Sequence, residues 1–339
     1  MTTNSSTGKF FPDLSESSFL LLRKPGMDAV SVYVLTAGLH GSIVLAPFNG
    51  DAQVFEASIE ANIPLKEFER AFVLPEPRLE NDEMSTEKDE YLKKITQAVS
   101  VLQSGEIHKV VLSRKLVVTH EYTPKALFVR LAKTYPTACV FAFYTTSIGF
   151  WMGATPETLL KIEDGTVEAM SLAGTRPVNT ESNWGTKELQ EQQYVTDGIC
   201  KTFETFNVTN VSVTKPVTNV AGPVEHLLTT VKGDWKPDAN ILAMAKALHP
   251  TPAVGGLPKL KATQYIIAND GYNRQFYTGY LGVFGDDHAH LWVNLRSMQL
   301  FKNGLVLYAG GGITADSNPQ AEWEETERKL QTLMAVIKE

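Results

Sequence analysis

Glutamates at helical spacing carry the most legible chemistry in this chain. Glu322, Glu325 and Lys329 fall at i, i+3 and i+7, so a helix would put them on one face, next to an apolar face of Trp323, Leu330, Met334 and Ile337. Glu188 and Glu191 repeat the i, i+3 pair beside Val195, Ile199 and Phe203. Either pair alone reads as a solvated acidic face. Two such pairs, each beside an apolar stripe, favour a shared site for a hard cation such as Mg²⁺, which takes carboxylate oxygens. Arg296, the backbone N–H groups of Gly310-Gly311-Gly312 and Lys329 could hold an anion close by. The expected ligand is an anionic small molecule with a bound cation. Two further residues are ambiguous on their own. Lys109, inside an apolar run, reads from alternation as a lysine snorkelling at a strand end, and Glu157, after Pro156, as an exposed strand edge.

The elements around these residues can be read from punctuation and period. Apolar runs flank Lys302-Asn303-Gly304, which predicts a β-hairpin. The glycine triplet then reads as a loop, with Asp316-Ser317-Asn318-Pro319 capping the helix that carries Glu322 and Glu325. Residues 107–119 form a strand with Lys109, Val111 and Ser113 on one face and Val110, Leu112 and Leu116 on the other. Residues 86–103 form a helix with Thr86 as its cap, and residues 186–206 form the helix of Glu188 and Glu191. Residues 172–177 read as a small-residue turn, 276–284 as a strand interrupted by Gly279 and Gly282, and 238–248 as a helix stopped by His249-Pro250. Asp286-Asp287-His288 reads as a hairpin turn, which makes His288 and His290 surface residues. Short strands occupy residues 16–85, ending in a loop at 74–85. This N-terminal part is expected to belong to the same fold as residues 86–339, behind a disordered tail at 1–15.

A chain of 339 residues with 43% hydrophobic content can build one large core or two average domains. Its 31 basic and 38 acidic residues give a net charge of −7 with no basic run, which argues against nucleic acid or an anionic membrane as partner. Cys139 and Cys200 sit among apolar residues, as buried thiols of a reducing compartment would. With no secretory signal or bilayer-length apolar run, a cytoplasmic protein is expected. No GxGxxG, P-loop, GxSxG, HExxH or CxxC spacing occurs, so nucleotide-fold, serine-hydrolase and zinc readings lack support.

A series of ordered motifs adds to this reading: HKVVLSR (His108–Arg114), GATPETLL (Gly153–Leu160), LAGT (Leu172–Thr175), the Glu188/Glu191 helix, HPTPAVGG (His249–Gly256), the segment Arg274–Gly279, Arg296, and YAGGGI followed by EWEET (Tyr308–Thr326). In these the chain resembles the chorismate-utilising enzymes, specifically the isochorismate synthases, over residues 86–339. The resemblance implies an α+β fold of two stacked, mainly antiparallel sheets with helices outside, and Mg²⁺-bound chorismate between them. It implies reversible isomerisation, water adding at C2 as the C4 hydroxyl leaves, with Lys109 as base and Glu157 as acid. Such roles need a lysine pKa lowered and a glutamate pKa raised. By the same resemblance Glu191 and Glu325 bind Mg²⁺ directly, with Glu188 and Glu322 supporting through water. Tyr277, Arg296, Gly310, Gly312 and Lys329 match positions that bind the substrate carboxylates, and Gly174, Thr175 and His249 match wall positions.

Two positions separate the branches of the family. Relatives that aminate chorismate usually lack a lysine at the place of Lys109, so hydroxylation is expected and no glutaminase subunit. Relatives that go on to eliminate pyruvate typically carry threonine where this chain has Ala253, which favours isochorismate as the end product. Salicylate synthesis and a non-catalytic chorismate-binding protein are the alternatives. Isochorismate serves menaquinone and siderophore biosynthesis alike, and the composition permits a monomer.

Overall fold

The computed structural model describes residues 14–38, 41–119, 122–236 and 240–338. The expected tail lies outside them up to residue 13, as does Asp238, the expected start of one helix. Leu14, assigned to that tail by its polar neighbours, is instead fully buried in the core.

From the N-terminus come β1 (Phe19–Arg23), β2 (Ala29–Ala37), β3 (Ile43–Ala46), β4 (Gln53–Pro64), α1 (Leu65–Ala71) and α2 (Lys88–Leu102). Next are β5 (Lys109–Val118), α3 (Pro124–Thr134), β6 (Cys139–Thr145), β7 (Gly149–Thr155), β8 (Thr158–Glu163), β9 (Thr166–Pro177) and α4 (Thr186–Thr205). Then follow β10 (Thr209–Val213), β11 (Val217–Ala221), β12 (Val224–Asp234), α5 (Ile241–Leu248), β13 (Gly256–Leu257) and α6 (Lys259–Asn269). The chain closes with β14 (Tyr280–Phe284), β15 (Ala289–Val293), β16 (Ser297–Phe301), β17 (Gly304–Ile313) and α7 (Pro319–Lys338).

Hydrogen bonding runs β13-β5-β17-β16-β7-β6-β1-β2-β4, all antiparallel. It continues β4-β3-β14-β15-β8-β9-β12, also antiparallel, with β10 and β11 sharing the outer edge of β12. The two stacked layers are thus continuous, joined through the long strand β4, where Phe55 pairs with both Ala37 and Ile43. The N-terminal strands are hydrogen-bonded into the body at β1–β6 and β3–β14.

Side-chain alternation explains the layering. On β1, Phe19 and Leu21 face α1, α3 and α7, while Leu20 and Leu22 face the space between the sheets. The other sheet packs its outer face on α4 and α5. The middle layer is aromatic: Trp151 stacks on Tyr308 with centroids 5.3 Å apart, and Tyr308 on Tyr277 at 5.2 Å. Truncating a fully buried ring such as Trp151 to alanine costs about 3–5 kcal/mol. A fourth cluster fixes α2 and α6 over the ends of β5 and β17.

Several local expectations are corrected. The glycine triplet is not a loop; Gly310, Gly311 and Gly312 pair with Ser113, Leu112 and Val111 inside β17. Residues 172–177 continue β9, with a bulge in place of a turn. Residues 275–278 are a turn ahead of β14, and Arg296, expected as a strand residue, lies in the connection between β15 and β16 at φ 48°. Thr86 does not cap α2; it pairs with the Lys115 backbone instead. His290 is half-buried and stacked on Trp292 at 3.7 Å, because the hairpin brings it over the sheet face, whereas His288 is exposed.

Candidate active site

A cleft of about 700 Å³ opens between the ends of the two sheets and the helices α4 and α7. Lys109, Glu157, Gly174, Thr175, Glu191, Ala253, Tyr277, Arg296, Gly310, Gly312, Glu325 and Lys329 all line it.

Lys109 opens β5, and alternation carries its side chain inward with that of Val111. Its ammonium lies 3.3 Å from Glu191 Oε1, which reaches in from α4. Gly312 makes this approach possible. A Cβ there would sit 2.2 Å from Glu191 Oε1 and 2.9 Å from Lys109 Cε, so any side chain would push the two apart. At Gly311 a Cβ would stand 3.1 Å from Glu322 Oε2. The glycines serve by their missing side chains, which let carboxylates from both helices come down onto the strand.

Behind β5 a buried ion pair, Arg274 with Asp270, ties the strand to its surroundings. Arg274 donates to the carbonyls of Val111 and Val254, and Asp270 accepts from the Ser113 hydroxyl at 2.8 Å and from the Ser113 backbone N–H at 3.0 Å. The strand that presents Lys109 and the segment that presents Ala253 are held together by that guanidinium.

Glu157 sits at the junction of β7 and β8. Its carbonyl accepts from the Val293 N–H at 3.0 Å, and its own N–H donates to Thr155 Oγ1 at 3.3 Å. The carboxyl is 1% exposed and Oε1 has no hydrogen-bond partner among the described residues. Burial pushes its pKa up to about 8, against the opposing pull of the Lys109 and Lys329 charges. At neutral pH this is a protonated acid.

The acidic helices behave differently. Lys329 lies 2.7 Å from Glu325 Oε1 and donates to the Gly310 carbonyl at 2.8 Å. Burial acts to raise the Glu325 carboxyl, but the Lys329 ammonium and its hydrogen bond outweigh burial and hold the group below the ordinary carboxylate value. Glu322 lies behind the cleft with Oε1 bonded to Lys187 and the Ser317 hydroxyl, each at 2.7 Å. Its Oε2 is buried without a partner among the described residues, and burial followed by the Glu325 charge raises its pKa. Glu188 also stays out of the lining, packed against Gly174 and folded back toward Gly185. Glu191 and Glu325 are therefore the carboxylates that could hold a hard cation facing the cleft, with Glu322 and Glu188 behind them. Among the described residues no three acidic, histidine or cysteine side chains already converge on one point; lysines 109, 187 and 329 stand against the carboxylates as counter-charges.

Arg296 is 7% exposed, its hydrogen bonds among the described residues go to neutral groups, and burial lowers its pKa to about 10, leaving it charged. Its guanidinium is spent on neutral groups, Thr332 Oγ1 at 2.8 Å and His226 Nε2 at 3.0 Å, so its charge is free for an anion. Tyr277 keeps a neutral phenol in the cleft, burial raising its pKa to about 12.

His249 departs from its expected place. It does not line the cleft; Nε2 faces the Phe48 carbonyl at 3.1 Å and the ring packs on Tyr280, while Ala253 and Val254, further along the same motif, form the wall. Sequence reasoning missed His226, Tyr308 and Leu295 in the lining and Lys187 between the helices. A polar Glu225-His226 pair inside an apolar strand was the available signal for the histidine.

The cleft sets a buried neutral acid and a lysine between stacked sheets, beside two carboxylate-bearing helices, a pairing that can give and take protons. The chain belongs to the chorismate-binding enzyme family, whose model, described as chorismate binding enzyme, matches residues 49–338. It is 31% identical to the isochorismate synthase MenF of Bacillus subtilis over 291 residues, 80% of this chain and 62% of that protein. It is likewise 31% identical to the MenF of Haemophilus influenzae, over 72% of this chain and 60% of that one. The chain thus spans about three fifths of the length of these two relatives. In fold it is similar to MenF, the menaquinone-specific isochorismate synthase from Escherichia coli, with a TM-score of 0.80, 20% identity, and coverage of 96% of this chain and 89% of that one. No helix among the described residues is long and apolar enough to cross a membrane.

Proposed function

We propose that the chain is an isochorismate synthase, converting chorismate reversibly into isochorismate. The observation that carries this reading is Glu157, a buried carboxyl whose Oε1 has no partner among the described residues and whose pKa is raised to about 8, sharing one cleft with Lys109. In this mechanism Lys109 must first give up the proton that pairs it with Glu191; its amine then takes a proton from water as the water oxygen bonds to C2 of the ring. Both ring double bonds shift, C1=C2 to C1=C6 and C5=C6 to C4=C5, as the C4–O bond breaks and Glu157 delivers its proton to the departing hydroxyl, so one water enters and one leaves. A general acid must be protonated at working pH, and the state of Glu157 supports that role.

Arg296 and Lys329 supply positive charge for the substrate carboxylates, Tyr277 a phenol, and Gly310 and Gly312 room beside the strand. The donor set fits Mg²⁺: hard carboxylate oxygens from two helices, one of them, Glu322 Oε2, buried without a partner among the described residues. Glu191 and Glu325 would hold the ion directly, and it would supply the counter-charge for the ring carboxylate. Gly174, Thr175 and Ala253 are walls; the small Ala253 and the presence of Lys109 favour hydroxylation without pyruvate loss and without a glutaminase partner.

The test is to incubate the purified protein with chorismate and Mg²⁺ and separate the products by chromatography. Isochorismate alone is the expected result. Salicylate with pyruvate would point to a lyase, and unchanged chorismate would leave a binding protein.

A further inference from the structure

His226 stands in β12 opposite Thr175 of β9, where the register of that pair slips by one residue. Gly174 is the extra residue, at φ +66°. The bulge brings its carbonyl to the histidine: Nδ1 lies 2.9 Å from Gly174 O and 3.2 Å from Thr175 Oγ1. A carbonyl only accepts, so Nδ1 carries the hydrogen and Nε2 presents a lone pair. That lone pair faces Arg296 Nη2 at 3.0 Å, and a guanidinium only donates. One tautomer therefore satisfies both ring nitrogens.

The position of Arg296 needs such a restraint. Its backbone is held at φ +48°, and the residue borders both the cleft and a second cavity of about 790 Å³ lined by Thr332, Trp292 and Pro156. Thr332 grips Nη1 from that second side. A glutamate in place of His226 would also accept from the arginine, but it would cancel the charge that an anionic ligand needs. A neutral acceptor orients the guanidinium and leaves its charge available.

We infer that His226 is a positioning residue: it holds the Arg296 guanidinium on the cleft side of the partition between the two cavities, oriented to receive a substrate carboxylate. This rests on the reading of the cleft as the chorismate site.

The experiment measures chorismate binding by calorimetry, and KM and kcat, for wild type and for His226→Leu, His226→Gln, His226→Glu and Arg296→Ala. Leucine removes the acceptor, and binding and KM should weaken about tenfold to thirtyfold with kcat within about threefold. Glutamine can accept from Arg296 and donate to Gly174, and should restore affinity to within about threefold of wild type. Glutamate should bind at least as weakly as leucine. Adding His226→Leu to Arg296→Ala should cost little more. Glutamate binding as well as glutamine, or leucine lowering kcat with affinity intact, would overturn the inference. If the leucine variant does not fold, the glutamine–glutamate contrast decides alone. Wild type failing to bind chorismate, or Arg296→Ala binding it normally, would sink the reading of the cleft and the inference with it. A weakened Arg296→Ala beside an unaffected His226→Leu would overturn the inference alone.

Discussion

Glu157 and the glutamates of α4 and α7 present one side-chain type in two opposite settings around a single cleft. Glu157 is buried at a strand junction with one oxygen unpartnered among the described residues, and burial dominates, pushing its pKa to about 8. Glu191 and Glu325 each have an ammonium nearby, at 3.3 Å and 2.7 Å, and for Glu325 that pairing overcomes burial. At Glu157 burial prevails and makes an acid, at Glu325 the Lys329 counter-charge outweighs burial and keeps a carboxylate, and at Glu322 burial together with the Glu325 charge outweighs Lys187. The lysines are thus as informative as the glutamates, since their placement decides which carboxyl can donate a proton.

Exchanging the residues at the two ends should give separable losses. Lys109→Ala removes the proposed base and should lower turnover by about 10³-fold or more, with chorismate binding retained in calorimetry. Near-normal turnover would remove Lys109 from that role. Glu157→Gln keeps shape but cannot donate a proton, and kcat should fall about 10²–10³-fold. In wild type kcat/KM should decline as pH rises through about 8, where the acid ionises, and the residual activity of Glu157→Gln should lack that limb. Glu191→Ala should raise the Mg²⁺ concentration needed for half-maximal activity by about tenfold to a hundredfold, and an unchanged Mg²⁺ response would take it out of the ligand set.

A separate effect is on stability, and its sign follows from proton binding. Both folded and unfolded forms hold the Glu157 proton below the ordinary value of 4.5; between there and about 8 only the folded form keeps it. Its contribution is therefore fully present at low pH and lost as pH rises to about 8, by up to about 5 kcal/mol. Urea midpoints of wild type should fall relative to Glu157→Gln over that range, and parallel curves would contradict it.

Part of the cleft lining was legible from period, and the rest came from the ordered motifs. Alternation put Lys109 and Val111 on one face, and helical spacing put each glutamate pair on one helix face. Taken singly, though, Lys109 read as a snorkelling lysine and Glu157 as an exposed edge, whereas both are buried because they point into the space between the sheets. The glycine triplet misled, since the missing Cβ that signals a turn equally permits close approach within a strand, as Gly312 does for Glu191. The bulge at Gly174 was read as a turn for the same reason. His226 was invisible because its role depends on a cross-strand register slip and on Arg296, which is 70 residues away in sequence. The continuity of the two layers through β4 also depends on long-range pairing, which local pattern does not carry.

The most direct test of the account is infrared difference spectroscopy of wild type minus Glu157→Gln, recorded at pH about 6.5 and about 9.5. A protonated carboxylic-acid carbonyl stretch present at the lower pH and replaced by carboxylate bands at the higher one is the predicted result. Carboxylate bands alone at the lower pH would mean that Glu157 is ionised where it must donate a proton, and the assignment of acid and base across the cleft would fail.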